Sequence, residues 1–335
     1  MEAPERAAPA QSAWPISFEE VLEARRRIRP HLPATPLRRY APLDEAVGNG
    51  IEVWVKHENH NPTNAFKARN ALSAMSVLSE DEKRRGVVAA TRGNHGLGVA
   101  WAGTLLGISS TICVPLGNNP EKNEAMRGYG ATLVEEGRDY DESVEVASRL
   151  ARERGLTTIH STNNRHVIAG AATLTLETLE DRPDLDAMVV AVGGGSQSVG
   201  AMTVTRAIRP AMRVFGVQAE RASAAHDSWH AGRAIATSSA DTFADGLATR
   251  NVYALTFAAL REGLSGFVTA SEAELAEALL LLLSATHNLA EGAGAAGLAG
   301  LFKLRETLRG KKVAIVISGS NIDRETLRRV VNGKI

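Results

Sequence analysis

Three short glycine-rich segments and one lysine carry the residue types in this 335-residue chain that could do chemistry. Gly193-Gly194-Gly195-Ser196 follows the apolar run 188–192 and precedes a helix-forming stretch. Residues without side chains at a strand-to-helix turn let consecutive backbone amides close on a phosphate, and the Ser196 hydroxyl adds a donor. The glycine spacing of a dinucleotide fingerprint and the Gly-Lys-Ser/Thr ending of a P-loop are both absent. Taken alone, the turn could equally do no more than pack a helix on a sheet. The other two segments are Arg92-Gly93-Asn94-His95-Gly96 and Ser318-Gly319-Ser320-Asn321. Lys67 closes the polar turn Asn61-Pro62-Thr63-Asn64-Ala65-Phe66 at the start of a helix-like stretch. A lysine is ordinarily a solvated charge. One held at a helix start beside a phosphate site, partly desolvated, has a lowered pKa and can form a Schiff base.

Positioning such groups requires strands that end together, and the periodicity supplies them. Strand-like runs at 51–56, 86–90, 110–115, 131–135 and 157–159 alternate with helix-like runs at 70–78, 95–106, 122–129 and 143–154. The second half continues with strands at 188–192, 213–217 and 313–317, and helices at 200–208, 272–288 and about 293–305. This order predicts an α/β fold of parallel sheet with helices on both faces. A helix at 19–29 has Ser17 as its N-cap and stops at Pro30. Segment 223–247 is the least regular of the interior and is expected across the mouth of a site.

Composition narrows the function classes. Basic and acidic residues balance at 38 each, so no overall charge favours nucleic acid or an anionic membrane. The longest apolar run, 279–283, is about a quarter of the ~20 residues that a membrane helix needs. The single cysteine, Cys113, rules out an internal disulfide and reads as a buried strand residue; with no metal-spaced Cys or His cluster, a reduced cytoplasmic setting is expected. Residues 1–12 read as a disordered leader without a signal-peptide core.

Four motifs in one order resemble the fold-type II pyridoxal-phosphate enzymes, in particular the threonine dehydratase and serine racemase group, across residues 18–331. Pro62-Thr63-Asn64-Ala65-Phe66-Lys67-Ala68-Arg69-Asn70 is similar to the lysine motif of that group, Pro-Thr-Gly-Ser-Phe-Lys-x-Arg-Gly. Gly93-Asn94-His95 resembles its substrate loop, Gly193 to Ser196 its phosphate loop, and Ser318 to Asn321 its Ser-Gly-x-Asn ending. The resemblance implies a tryptophan synthase β-like architecture of two doubly wound parallel-sheet domains with pyridoxal 5′-phosphate in the cleft. It places a large domain at 13–86 and 164–332, a small mobile domain at 87–163, and no C-terminal regulatory domain.

The same resemblance implies residue roles. Lys67 holds the cofactor and serves as general base, Phe66 packs on the ring, Asn94 bonds its phenolic oxygen, and Gly193, Gly194, Gly195 and Ser196 hold its phosphate. Ser318 faces the pyridine nitrogen and, being neutral, leaves it unprotonated, which favours elimination over a long-lived carbanion. Thr91, Arg92, Gly93, Asn94 and His95 bind the substrate, and Glu291 is a catalytic acid near the cofactor. On its own, Glu291 could equally be a first-turn carboxylate at a helix N-terminus. Asp245, in another recurrent family motif, could equally be a turn residue. The implied reaction removes water and then ammonia from a β-hydroxy amino acid such as L-threonine or L-serine, in the homodimer habitual for the family.

Departures from the pattern bear on the substrate. Asn64, Ala65 and Asn70 replace Gly, Ser and Gly, and Arg92 stands where the group carries a serine that acts in racemases as the second acid/base. A guanidinium cannot do that, so two-base racemisation is not expected. Arg92 either clamps a carboxylate, including a second one on the substrate, or makes a surface ion pair away from the site. Gln218, Ala222 and Ala224 stand where relatives bind a divalent cation, with Glu220 nearby, so no metal is expected. Rival readings are a dehydratase for phenylserine or 3-hydroxyaspartate, a β-replacement synthase, and a non-catalytic cofactor-binding protein.

Overall fold

The computed structural model describes residues 14–335; the leader expected at 1–12 lies outside them. Ten strands follow in chain order: β1 (Leu37–Arg39), β2 (Glu52–His57), β3 (Val87–Ala90), β4 (Ser110–Val114), β5 (Thr132–Glu135), β6 (Thr157–Thr158), β7 (Ala187–Ala191), β8 (Arg213–Ala219), β9 (Gly266–Ala270) and β10 (Lys312–Ile317). They assort into a six-stranded sheet, β1-β2-β10-β7-β8-β9, and a four-stranded sheet, β5-β4-β3-β6. Every pairing is parallel except that of β1 with β2. That antiparallel edge strand is three residues of half-exposed Leu and Arg, too short and too polar to be legible as a strand.

Helices cover both faces of the larger sheet, so its strands are apolar on both sides. In β10, Val313, Ile315 and Ile317 enter one core cluster while Ala314 and Val316 enter the other, as the twofold alternation of a strand requires. β7 divides Ala187 and Val189 from Met188 and Val190 in the same way. Cys113 is buried in β4, as expected, where burial pushes its thiol up to about 11.

Local chemistry sets the helix ends. Helix Phe18–Ile28 starts with a complete capping box, the Ser17 hydroxyl accepting from the Glu20 amide and the Glu20 carboxylate accepting from the Ser17 amide. Two helix starts shift from the sequence reading in a way that matters. One helix spans Lys67–Met75 rather than beginning at residue 70, and another spans Ser196–Ile208 rather than beginning at 200. Lys67 is therefore the first residue of its helix, and the glycine turn abuts the start of the second. Helix Lys67–Met75 lies against Asn94–Leu106 at Gly98, where a Cβ would come 2.6 Å from the Lys67 carbonyl oxygen.

Several elements went unread in the sequence. Helix Arg165–Asp181 is buried from Val167 through Leu179, so it has no polar face to give a period. The expected irregular segment 223–247 opens with helix Ala224–Ala231; its later part does border the cavity described next.

Candidate active site

Parallel strands open at their C-terminal ends, and four such ends converge here. The loop after β2 delivers Phe66 and Lys67, the loop after β3 delivers residues 91–95, the turn after β7 delivers Gly193 to Ser196, and the end of β10 delivers Ser318. Together with Glu291 these line one cavity of about 150 Å³ between the two sheets. Every residue that the sequence nominated for the site borders it.

Half-buried Lys67 donates from Nζ to the Ser161 carbonyl at 3.3 Å, and Nζ lies 5.0 Å from the centroid of the Phe66 ring. No carboxylate among the described residues pairs with it, and burial lowers its pKa to about 8. The Lys67 loop is held to the Ser318 turn by the Phe66 amide donating to the Ser318 carbonyl (3.0 Å), the Ser320 amide to the Asn64 carbonyl (2.9 Å), and a bridge between Ala65 and Gly319. Asn64 has φ 53°, the left-handed region. This explains its replacement of the expected glycine, because asparagine is among the few side chains that tolerate that region.

Beneath the lysine helix lies a fully buried ionic network. Arg69 pairs with Glu58 at 2.7 Å and Glu177 at 2.6 Å, and Lys56 pairs with Glu177 at 2.8 Å. Two cations and two carboxylates balance, and Arg69 sits two residues beyond Lys67. Asn70, the other unexpected residue of the motif, is buried, and its amide reaches Ser196 Oγ at 3.5 Å.

Asn94 is fixed from both sides: Nδ2 donates to Glu291 Oε1 at 2.5 Å, and Oδ1 accepts from Asn321 Nδ2 at 2.7 Å. Burial raises the Glu291 pKa despite the opposing Lys122 charge and the Asn94 bond. His95 faces the Ile159 carbonyl through Nε2 at 2.7 Å, so that nitrogen carries the proton. Burial, and then the Lys67 charge, lower its pKa to about 3. Its Nδ1 is buried with no partner among the described residues. The Thr91 hydroxyl accepts from the Gly93 and Gly96 amides at 3.0 and 3.3 Å, shaping the loop. Gly195, with φ 94°, turns the chain into helix Ser196–Ile208, whose start borders the cavity at Ser196 and whose first amides have no partner within the helix. Buried Ser318 donates to the Ala293 carbonyl at 3.3 Å.

The structure adds residues that sequence reasoning missed. Lys122, buried at the start of helix Pro120–Gly128, pairs with Asp245 at 2.5 Å, linking the four-stranded unit to the six-stranded one. Burial opposes the Lys122 charge, but Asp245 and Glu291 outweigh it and raise its pKa. Tyr140, Tyr253, Ser161 and Thr162 also border the cavity. A lone lysine or tyrosine far along the chain carried no local signal; only Asp245 stood in a recognisable motif. A second cavity of about 610 Å³ adjoins the first and shares Arg92, Lys122, Asp245 and Glu291 with it. Arg92 makes no ion pair among the described residues, so the surface-pair alternative does not hold. At the position where a cation ligand was considered, buried Gln218 accepts from the Ala225 and His226 amides at 3.1 and 3.0 Å, capping a helix. The described residues hold no group of three acidic, His or Cys side chains placed for a metal, and none of their helices is long and apolar enough to cross a membrane.

A lysine of lowered pKa and a glycine turn at a helix start meet at the strand ends of two parallel sheets, an arrangement of the class of enzymes that use a phosphorylated carbonyl cofactor. The chain belongs to the pyridoxal-phosphate dependent enzyme family, whose sequence model matches residues 28–319. It is 39% identical to an L-threonine ammonia-lyase of Thermotoga maritima over 95% of this chain and 78% of that one. An L-threo-3-hydroxyaspartate ammonia-lyase of Saccharomyces cerevisiae is 32% identical over 95% of this chain and 97% of its own. Among solved structures, the processed form of threonine deaminase isoform 2 from Solanum lycopersicum superposes with a TM-score of 0.87 at 28% identity, covering 99% of this chain and 97% of that one.

Proposed function

We propose that this chain is a pyridoxal-phosphate dependent ammonia-lyase that converts a β-hydroxy amino acid, with L-threonine and L-serine as substrates, to a 2-keto acid and ammonia. The observation that carries the reading is the Lys67 amine, its pKa lowered to about 8, in one cavity with the Gly193 to Ser196 turn. The residues fit the cofactor. A neutral amine is available to its aldehyde, helix-start amides and the Ser196 hydroxyl to its phosphate, a neutral serine to its ring nitrogen, and Asn94, oriented by Asn321, to its phenolic oxygen. Phe66 would flank the ring.

Pyridoxal phosphate, when bound, supplies the carbonyl that takes the substrate amino group and the electron sink that acidifies the α-carbon. Lys67 Nζ would accept the α-proton, and its lowered proton affinity suits a base working near neutral pH. Glu291, buried and raised in pKa by that burial, would stand beside the cofactor through its contact with Asn94. Thr91, Gly93, Asn94 and His95 would orient the substrate α-carboxylate at the start of helix Asn94–Leu106, with Arg92 beside them at the rim of the cavity. The β C–O bond breaks and water leaves; the released enamine tautomerises, and a second water gives the keto acid and ammonia.

We further infer that the unit at 87–163 closes over the substrate, that the working form is a homodimer, and that the reaction is catabolic and cytoplasmic. The test is keto acid and ammonia formation from L-threonine and L-serine by the purified holoenzyme, with Lys67→Ala as control. Turnover that disappears in the variant supports the reading. A cofactor-loaded protein that forms no keto acid from either, or from L-threo-3-hydroxyaspartate, overturns it.

A further inference from the structure

Four charged residues form the wall between the two cavities: Arg92, Lys122, Asp245 and Glu291. Three have polar partners. Lys122 and Asp245 neutralise one another at 2.5 Å, and Glu291 accepts from Asn94 and is raised in pKa by burial. Arg92 is the exception. Arg92 is exposed, and its guanidinium makes no ion pair and no hydrogen bond among the described residues, although it borders both cavities and directly precedes Gly93, the N-cap of helix Asn94–Leu106. Arg69, by contrast, finds two carboxylates.

An unmatched guanidinium at the rim of a substrate cavity is a site for an anion, because its planar fork matches a carboxylate. The substrate's α-carboxylate already has donors in the first amides of helix Asn94–Leu106 and the Thr91 hydroxyl, which leaves Arg92 to a different group. Arg92 also borders the second cavity, which offers room there for a group on the substrate's side chain.

We propose that Arg92 determines specificity by binding a second carboxylate, carried on the β-carbon, so that the chain prefers a dicarboxylic β-hydroxy amino acid to L-threonine. This rests on the ammonia-lyase reading and ranks its substrates. The bond changes are those of the monocarboxylic case: the α C–H and β C–O bonds break, water leaves, and hydrolysis yields a dicarboxylic 2-keto acid and ammonia. Of the carboxylates nearby, Asp245 is matched by Lys122.

Two measurements test it. The first is the ratio of kcat/KM for L-threo-3-hydroxyaspartate to that for L-threonine, which differ by a carboxylate in place of a methyl. The ratio should exceed one in the native holoenzyme, fall about ten- to hundredfold in Arg92→Ser, chiefly through KM for the dicarboxylate, and recover in part in Arg92→Lys. The second needs no turnover: the Kd of the holoenzyme for L-aspartate and for L-2-aminobutyrate, the same pair without the β-hydroxyl. Tighter aspartate binding that Arg92→Ser removes supports the assignment. L-threonine turnover with a ratio that Arg92→Ser leaves unchanged overturns the Arg92 assignment and spares the lyase reading. Absence of keto acid from every substrate overturns the lyase reading, and the binding pair then decides Arg92 by itself.

Discussion

On the proposed function, Lys67 concentrates the chemistry of the site in one amine. Lowering its pKa from 10.5 to about 8 raises the neutral fraction at pH 7.5 by roughly two-hundredfold. The neutral form is the nucleophile, so capture of pyridoxal phosphate by the cofactor-free protein should accelerate as pH rises through about 8 and then level off. Stopped-flow absorbance at a series of pH values checks this; a rate still climbing steeply toward pH 10 would mean an unperturbed lysine. At this scale the sequence is legible wherever a residue sits in a motif with its neighbours, as Lys67, Asn94, the Gly193 turn and Ser318 do. It is silent on Lys122, Tyr140 and Tyr253, which reach the cavity only through tertiary structure.

Among the elements, helix Lys67–Met75 is the one that must not move, and two features of it are testable. Arg69→Met leaves the Glu58 and Glu177 carboxylates buried without their shared cation, and should cost about 3–5 kcal/mol of stability in a urea titration. At the left-handed Asn64, Asn64→Gly should be tolerated within a few tenths of a kcal/mol, whereas Asn64→Val should cost about 1–2 kcal/mol and weaken cofactor retention. Equal stability of these two variants would show that the left-handed backbone at residue 64 does not select its side chain. The amphipathic helices and β-rich runs are readable because one face is wet or the strand is short. Helix Arg165–Asp181 is not, because burial on all sides erases the period. The sequence pattern places the start of the lysine helix three residues late, because Phe66 and Lys67 follow a polar turn that masks the first helical turn.

For the whole molecule, the two sheets meet across the cavity, and the Lys122–Asp245 pair spans them. The Asp245 side chain is 40% exposed and can rehydrate when its partner is lost. Lys122→Met should therefore move the unfolding midpoint far less than Arg69→Met does. It should instead raise KM for L-threonine, because the two units would no longer be tied at the rim of the site. A KM that stays put would remove the pair from the proposed closing motion. The two-layered α/β arrangement follows from the alternation of strand and helix signals. The way the second unit sits over the first is set by side chains distant in sequence, such as Lys122 and Asp245, and no local pattern carries it.

On the proposed function Lys67 is the residue that carries the cofactor, and borohydride reduction of the holoenzyme followed by peptide mapping tests this most directly. A single pyridoxyl adduct on the peptide containing Lys67, absent in Lys67→Ala, is the predicted result. An adduct on another lysine of the native protein, Lys122 foremost because it borders the same cavity, would contradict the assignment.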